Sequence, residues 1–130
     1  MKNLLLYFLV AFTFAFSSCV QNPSATNHNL TAPAVKNLVQ TNPEVIILDV
    51  RTPEEYAAGH VAGAVNLDYY APDFAEQLDK LDRQKTYLLY CASGNRSGKA
   101  AAIFKEKHFP KFYNSTAGFT GLKAEGVPTN

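Results

Sequence analysis

The run Val45-Ile46-Ile47-Leu48 is continuously apolar and mostly β-branched. A strand with one wet face alternates apolar and polar residues, whereas a strand covered on both faces has no reason to. The run therefore predicts a strand inside a mainly parallel sheet, with Asp49 at its carboxyl end. Such a sheet needs helices on its two faces, and the rest of the chain supplies them.

Leu30 reads as a short edge strand, after which Thr31 can cap and Pro33 can open a helix. Val35, Leu38 and Val39 share one face of it, and Asn42-Pro43 stops it. Thr52-Pro53-Glu54-Glu55 combines a capping hydroxyl, a proline at the first helical position and a glutamate three residues past the cap. Gly59 ends this short helix, and Ala64-Val65-Asn66-Leu67 returns as a strand. A helix over residues 72–81 carries Phe74, Leu78 and Leu81 on one face. Thr86-Tyr87-Leu88-Leu89-Tyr90 is the next strand, residues 97–107 the next helix, and Lys111-Phe112-Tyr113 the last strand. This alternation predicts an α/β fold: an open, mainly parallel five-stranded sheet flanked by helices on both faces. Ligands of such sheets bind beyond the carboxyl ends of the strands.

The chain has 130 residues, 47% of them hydrophobic, which suffices for one modest core. Lys2 is the only charge before Cys19, so the rest of the chain carries equal numbers of basic and acidic residues. No basic stripe suggests nucleic acid as a partner. Cys19 and Cys91 lie far apart in different contexts, which argues against a disulfide framework. His28, His60 and His108 lack ligand spacing, so no metal and no cofactor is expected.

Residues 4–16 form an apolar run with only Tyr7 and Thr13 as interruptions. A spanning helix needs about 20 such residues and a signal-peptide core roughly 7 to 15, so export is the better reading than a buried or spanning helix. Phe16-Ser17-Ser18-Cys19 resembles the lipobox of bacterial lipoproteins, with Phe16 where leucine is usual. That resemblance implies a signal peptide over residues 1–18, lipidation of Cys19 and a tether over residues 19–29, leaving residues 30–130 as the folded domain. It implies a location in the bacterial cell envelope, periplasm-facing or surface-facing, with membrane contact through the lipid only.

Cys91-Ala92-Ser93-Gly94-Asn95-Arg96-Ser97-Gly98 places a thiol on a tight turn between a buried strand and a helix. Backbone N–H groups of such a turn point inward, the helix adds partial positive charge, and Gly94 can adopt a backbone closed to other residues. A thiolate is an anion that the same donors stabilise below the ordinary thiol pKa of about 8.5. The loop contains no histidine or carboxylate to act as base, so the arrangement suits a pre-formed thiolate. Sulfur transfer through a persulfide fits that chemistry. An isolated cysteine is more often a buried, inert thiol, but the glycine, Arg96 and the strand-to-helix setting favour function here.

Leu48-Asp49-Val50-Arg51-Thr52-Pro53-Glu54-Glu55-Tyr56 and Gly59-His60-Val61-Ala62-Gly63-Ala64-Val65-Asn66 resemble the rhodanese family signature. Tyr90-Cys91 through Arg96-Ser97 is similar to its active loop. Gly118-Phe119 and Gly126-Val127-Pro128 resemble its closing segment, with Leu122 near the place of a frequent tryptophan. The resemblance implies a sulfurtransferase with Cys91 as the persulfide-forming nucleophile and Ala92, Ser93, Gly94, Asn95, Arg96 and Ser97 around the donor. The donor would be a small anion such as thiosulfate, and the acceptor cyanide, a thiol or a redox protein. Arg96 either orients that anion or braces the loop through a salt bridge. Asp49 and Arg51 would pin the loops at the strand end, and His60 would make structural hydrogen bonds. Tyr69, Tyr70 and Phe74 either rim the pocket or lie in the core.

Two other functions compete with this one. Related loops that act on phosphate esters or arsenate have five residues between cysteine and arginine, and here there are only Ala92, Ser93, Gly94 and Asn95. A non-catalytic module that carries or binds a persulfide is the other.

Overall fold

The structure, a computed structural model, describes residues 26–130. The expected export signal, Cys19 and the first part of the expected tether lie outside the described residues. Five strands, β1 (Thr26–Leu30), β2 (Ile46–Asp49), β3 (Val65–Asn66), β4 (Tyr87–Tyr90) and β5 (Lys111–Ser115), form one sheet in the order β1-β5-β4-β2-β3. Every neighbouring pair is parallel. The connections hold α1 (Ala32–Thr41), α2 (Pro53–Ala57), α3 (Phe74–Asp79), α4 (Asn95–Glu106) and α5 (Phe119–Glu125).

Central position explains the unbroken apolar run of β4, whose four residues are all buried. Successive side chains of a strand point to opposite faces. Tyr87, Leu89 and Cys91 accordingly join the packing beneath α3 and α4, with Phe74, Leu78, Phe104 and Phe112. Leu88 and Tyr90 join the packing on the other face, with Val35 of α1 and Leu122 of α5. The same division runs through β2, which sends Leu48 one way and Ile47 the other. Helices thus cover both faces, as the alternating pattern requires.

Three local expectations are corrected. β1 starts at Thr26, so Thr26, Asn27, His28 and Asn29 belong to the sheet rather than to a tether. They pair with β5 from Thr26 opposite Lys111 to Leu30 opposite Ser115, and a strand built on ladder bonds needs no apolar run of its own. The helix expected over residues 72–81 is regular only across Phe74–Asp79. Tight turns flank it, with the Phe74 N–H bonded to the Ala71 carbonyl and the Leu81 N–H to that of Leu78. The closing segment, read only as a motif, contains α5. Leu122 is fully buried in the place discussed for a tryptophan, Gly126 ends the helix at φ +89°, and the Lys36 ammonium caps the Glu125 carbonyl at 3.0 Å.

The carboxyl ends of β2 and β4 are fastened by a buried polar cluster. Arg51 donates from Nε and Nη2 to the Asp49 carboxylate and from Nη2 to the Gly59 carbonyl at 2.6 Å. The Tyr90 hydroxyl donates to Asp49 Oδ2 and accepts the Val61 N–H at 3.0 Å. Burial works against the Arg51 charge, but the bonds to Asp49 outweigh it and hold the guanidinium pKa above its ordinary value. The guanidinium also lies 4.4 Å from the Phe119 ring centre, which ties α5 into the cluster. Asp49 and Arg51 therefore pin the strand-end loops by contacts within the fold.

Losing one partner from a buried network leaves the others unsatisfied. Tyr90→Phe strips the hydroxyl from both Asp49 and the Val61 N–H, and we expect it to destabilise the domain by about 1–3 kcal/mol. The midpoint of urea unfolding, compared with the parent protein, measures that loss.

Candidate active site

β4 ends at Tyr90, and the next residue is Cys91, whose side chain continues the alternation toward α4 and is wholly buried. Although Cys91 borders the apolar packing of that face, its sulfur meets polar groups. The Gly94 N–H donates to Sγ at 3.1 Å, and the Ser97 hydroxyl oxygen lies 3.5 Å from it. Gly94 serves as the N-cap of α4 at φ +93°, a left-handed backbone that glycine adopts without strain. This turn aims its own N–H at the sulfur, as expected of a tight turn between a strand and a helix.

Burial pushes the Cys91 thiol up, as it does for any group that ionises to an anion. The Ser97 hydroxyl, with the N–H groups of Ser97, Ser93 and Gly94, outweighs that effect and brings the thiol below its ordinary value. Ser93, Gly94 and Ser97 bear on the sulfur, while the Asn95 side chain is exposed and Ala92 is held by its backbone. The Ser97 hydroxyl also lies within reach of the Gly94 and Ser115 carbonyls, at 3.3 and 3.5 Å, so its rotation is confined.

Residues beyond β5 clamp the loop from the other side. A Cβ built on Gly118 would fall 1.6 Å from the Ala92 carbonyl oxygen, closer than any side chain can stand. The Phe119 N–H donates to the Cys91 carbonyl at 2.9 Å, and a Cβ on Gly94 would meet the Thr116 carbonyl at 2.9 Å. The start of α5 and the cysteine loop therefore touch backbone to backbone. Nothing local in the sequence links Gly118, part of the closing motif, to Ala92; only the fold brings them together.

Arg96 does not face the sulfur's cradle as a free cation. Its Nη1 and Nη2 donate to the two carboxylate oxygens of Glu55 at 2.7 and 2.8 Å, a bidentate pair. Of the two roles open to Arg96, bracing is the one its contacts show. Glu55, which the sequence marks as a helix-cap residue within the signature over residues 48–56, is that as well. Its Oε2 accepts the Thr52 N–H at 3.0 Å while the Thr52 hydroxyl accepts the Glu55 N–H at 3.3 Å. Hydrogen bonding from Arg96 is the largest influence on Glu55 and holds its carboxyl at about 2. Bonding to Glu55 in turn raises Arg96 above its ordinary value.

The remaining candidates separate cleanly. His60 stacks on Tyr56 at 3.8 Å and donates from Nδ1 to the Tyr56 carbonyl at 2.9 Å, while its backbone exchanges bonds with Asn130. Phe74 is core and Tyr69 packs against it. Tyr70 is 65% exposed, with the Arg96 guanidinium 5.5 Å from its ring centre, and so belongs to the rim.

A thiol held by backbone N–H groups between a parallel strand and a helix, at the carboxyl end of an open sheet, defines a class of α/β proteins with an anion-stabilising cysteine loop. Within that class the chain belongs to the rhodanese-like domain family, whose profile, described as Rhodanese-like domain, matches residues 31–125. It is similar to thiosulfate sulfurtransferase 16, chloroplastic, of Arabidopsis thaliana, 34% identical over 92 residues that cover 63% of this chain and 77% of that protein. It is also similar to the tRNA uridine(34) hydroxylase of Hamiltonella defensa subsp. Acyrthosiphon pisum, 31% identical over 103 residues covering 75% of this chain but only 28% of that protein. Among solved structures, the rhodanese-like domain of the Anabaena sp. Alr3790 protein superposes with a TM-score of 0.70 at 24% identity, covering 78% of this chain and 77% of that one, which shows the shared fold. Sulfur transfer is thus supported at the level of the family.

Because the Ser97 hydroxyl helps bring the Cys91 thiol down, its removal should let the opposing effect of burial show. Ultraviolet titration of the thiolate, in a Cys19→Ser background that leaves Cys91 as the sole thiol, should give a midpoint below that of an ordinary thiol. Ser97→Ala should move that midpoint upward, and an unmoved midpoint would show that the hydroxyl does not bear on the sulfur.

Proposed function

We propose that the chain is a sulfurtransferase that moves sulfane sulfur from a donor to a thiophilic acceptor through a persulfide on Cys91. The observation that carries this reading is the 3.1 Å bond from the Gly94 N–H to Cys91 Sγ, set beside the Ser97 hydroxyl. Donors fixed before the reaction cost no reorganisation when charge shifts along the sulfur chain. With thiosulfate as the simplest donor, the Cys91 thiolate attacks the outer sulfur, the Sγ–S bond forms, and the donor's S–S bond breaks. Sulfite leaves with the electron pair. Attack by cyanide or a thiolate on the outer sulfur of the persulfide then restores the Cys91 thiolate. Ser93, Gly94 and Ser97 hold the negative charge in each state.

The engagement of Arg96 with Glu55 supports sulfur transfer over phosphoryl chemistry. A phosphoryl-transfer loop needs its arginine on the anion, and here the guanidinium fork is already filled by a carboxylate. Incubation with thiosulfate followed by intact-mass measurement should show a gain of one sulfur that is absent in Cys91→Ser, and cyanide should then release thiocyanate. An adduct without thiocyanate would leave a persulfide carrier; the absence of both would end the enzymatic reading.

We further propose that Cys19 is lipidated, so that the domain works at a bacterial membrane surface. The support is the short apolar run and the Ser17-Ser18-Cys19 context. No helix among the described residues is long and apolar enough to cross a membrane. Expressed in a bacterial host that lipidates exported proteins, the full chain should partition into detergent, whereas Cys19→Ser should not.

A further inference from the structure

We propose that Glu55, acting through Arg96, selects the sulfur donor by charge, so that the site prefers a thiol persulfide over dianionic thiosulfate. This rests on the sulfurtransferase reading above and names its substrate class. Arg51 is spent on Asp49 and Gly59, and Arg96, the only cation within the cysteine loop, is spent on both oxygens of Glu55. Glu55 cannot swing away at no cost, because its Oε2 also closes the cap of α2 through the Thr52 N–H. A dianion approaching Cys91 would therefore meet a neutralised pair or, if Arg96 turned toward it, a bare carboxylate behind. Asp68 Oδ1 accepts the Tyr70 N–H at 2.9 Å and so holds the backbone of the residue whose ring stands beside Arg96.

A second observation points to a donor with an organic body. The Arg96 guanidinium lies 5.5 Å from the ring centre of Tyr70, which is 65% exposed and offers an aromatic surface at the rim. An inorganic anion has no use for such a surface, whereas the carbon frame of a thiol, free or in a peptide, can lie against it. In the step itself the Cys91 thiolate attacks the terminal sulfur of R–S–SH. The Sγ–S bond forms, the donor's S–S bond breaks, and R–S⁻ leaves with the electron pair and takes the proton. No oxidant or reductant is consumed. Glu55 touches no reacting atom and is a positioning residue.

The test compares donors on the full chain carrying Cys19→Ser, with cyanide as acceptor and cysteine persulfide and thiosulfate as the two probes. The parent protein should show the larger kcat/KM for the persulfide. Glu55→Gln keeps a side chain able to close the capping box but removes the charge. It should lower the persulfide-to-thiosulfate ratio about tenfold, the scale set by one unit charge removed from near a dianion. Arg96→Met, which leaves Glu55 uncompensated, should raise the same ratio and keeps the test decisive if Glu55→Gln folds poorly. A purely structural role for the pair would scale both donors together. Turnover of both donors with ratios that neither variant moves, or a parent preference for thiosulfate, overturns the charge selection alone. No sulfur uptake from either donor overturns it together with the sulfurtransferase reading.

Discussion

The buried guanidinium of Arg51 is the constraint on which the geometry of this domain depends. It is nearly inaccessible and satisfied by the Asp49 carboxylate, the Gly59 carbonyl and the Phe119 ring at once. Those partners come from the end of β2, the turn after α2 and the first residue of α5. Through the Tyr90 hydroxyl on the same carboxylate, the end of β4 is added to the set. A charge buried this deeply is tolerable only when its partners are in place, so the cluster specifies the relative positions of these segments as well as joining them. The sulfur of Cys91 sits one residue beyond that junction. Its cradle is consequently as well fixed as the fold itself.

Reading the sequence recovers the parts of this arrangement whose causes are local. The unbroken run at Val45-Ile46-Ile47-Leu48 and the strand ending at Tyr90 announce strands covered on both faces, and the structure places β2 and β4 side by side within the sheet. Thr52, Pro53 and Glu55 announce a helix start, and both bonds of the capping box are present. Gly94 at a strand-to-helix turn announces a left-handed residue, and φ is +93°. In each case a residue and its reason lie within a few positions of each other.

What was not legible depends on partners far along the chain. β1 has no apolar run of its own, and its existence rests on the ladder it makes with β5. α5 is seven residues long, contains Gly121 and buries only Leu122, too little for a periodic signal. The direction of Arg96 was open because its partner, Glu55, lies 41 residues earlier and was already explained by a helix cap. The contact of Gly118 with Ala92 was invisible for the same reason: a glycine needed for close approach leaves no mark in its own neighbourhood.

Parallel order has a consequence for how the molecule is presented to its surroundings. β1 enters the sheet at Thr26, opposite Lys111, while Tyr87 of β4 pairs with Phe112 just beyond. Entry is therefore at the amino ends of the strands, roughly five residues or about 16 Å below the level of Cys91 at ~3.3 Å per residue. Any pull exerted on the chain at Thr26 acts on the floor of the sheet, and Cys91 is buried beneath its roof. Load applied at that end and chemistry at Cys91 therefore fall at opposite edges of the sheet.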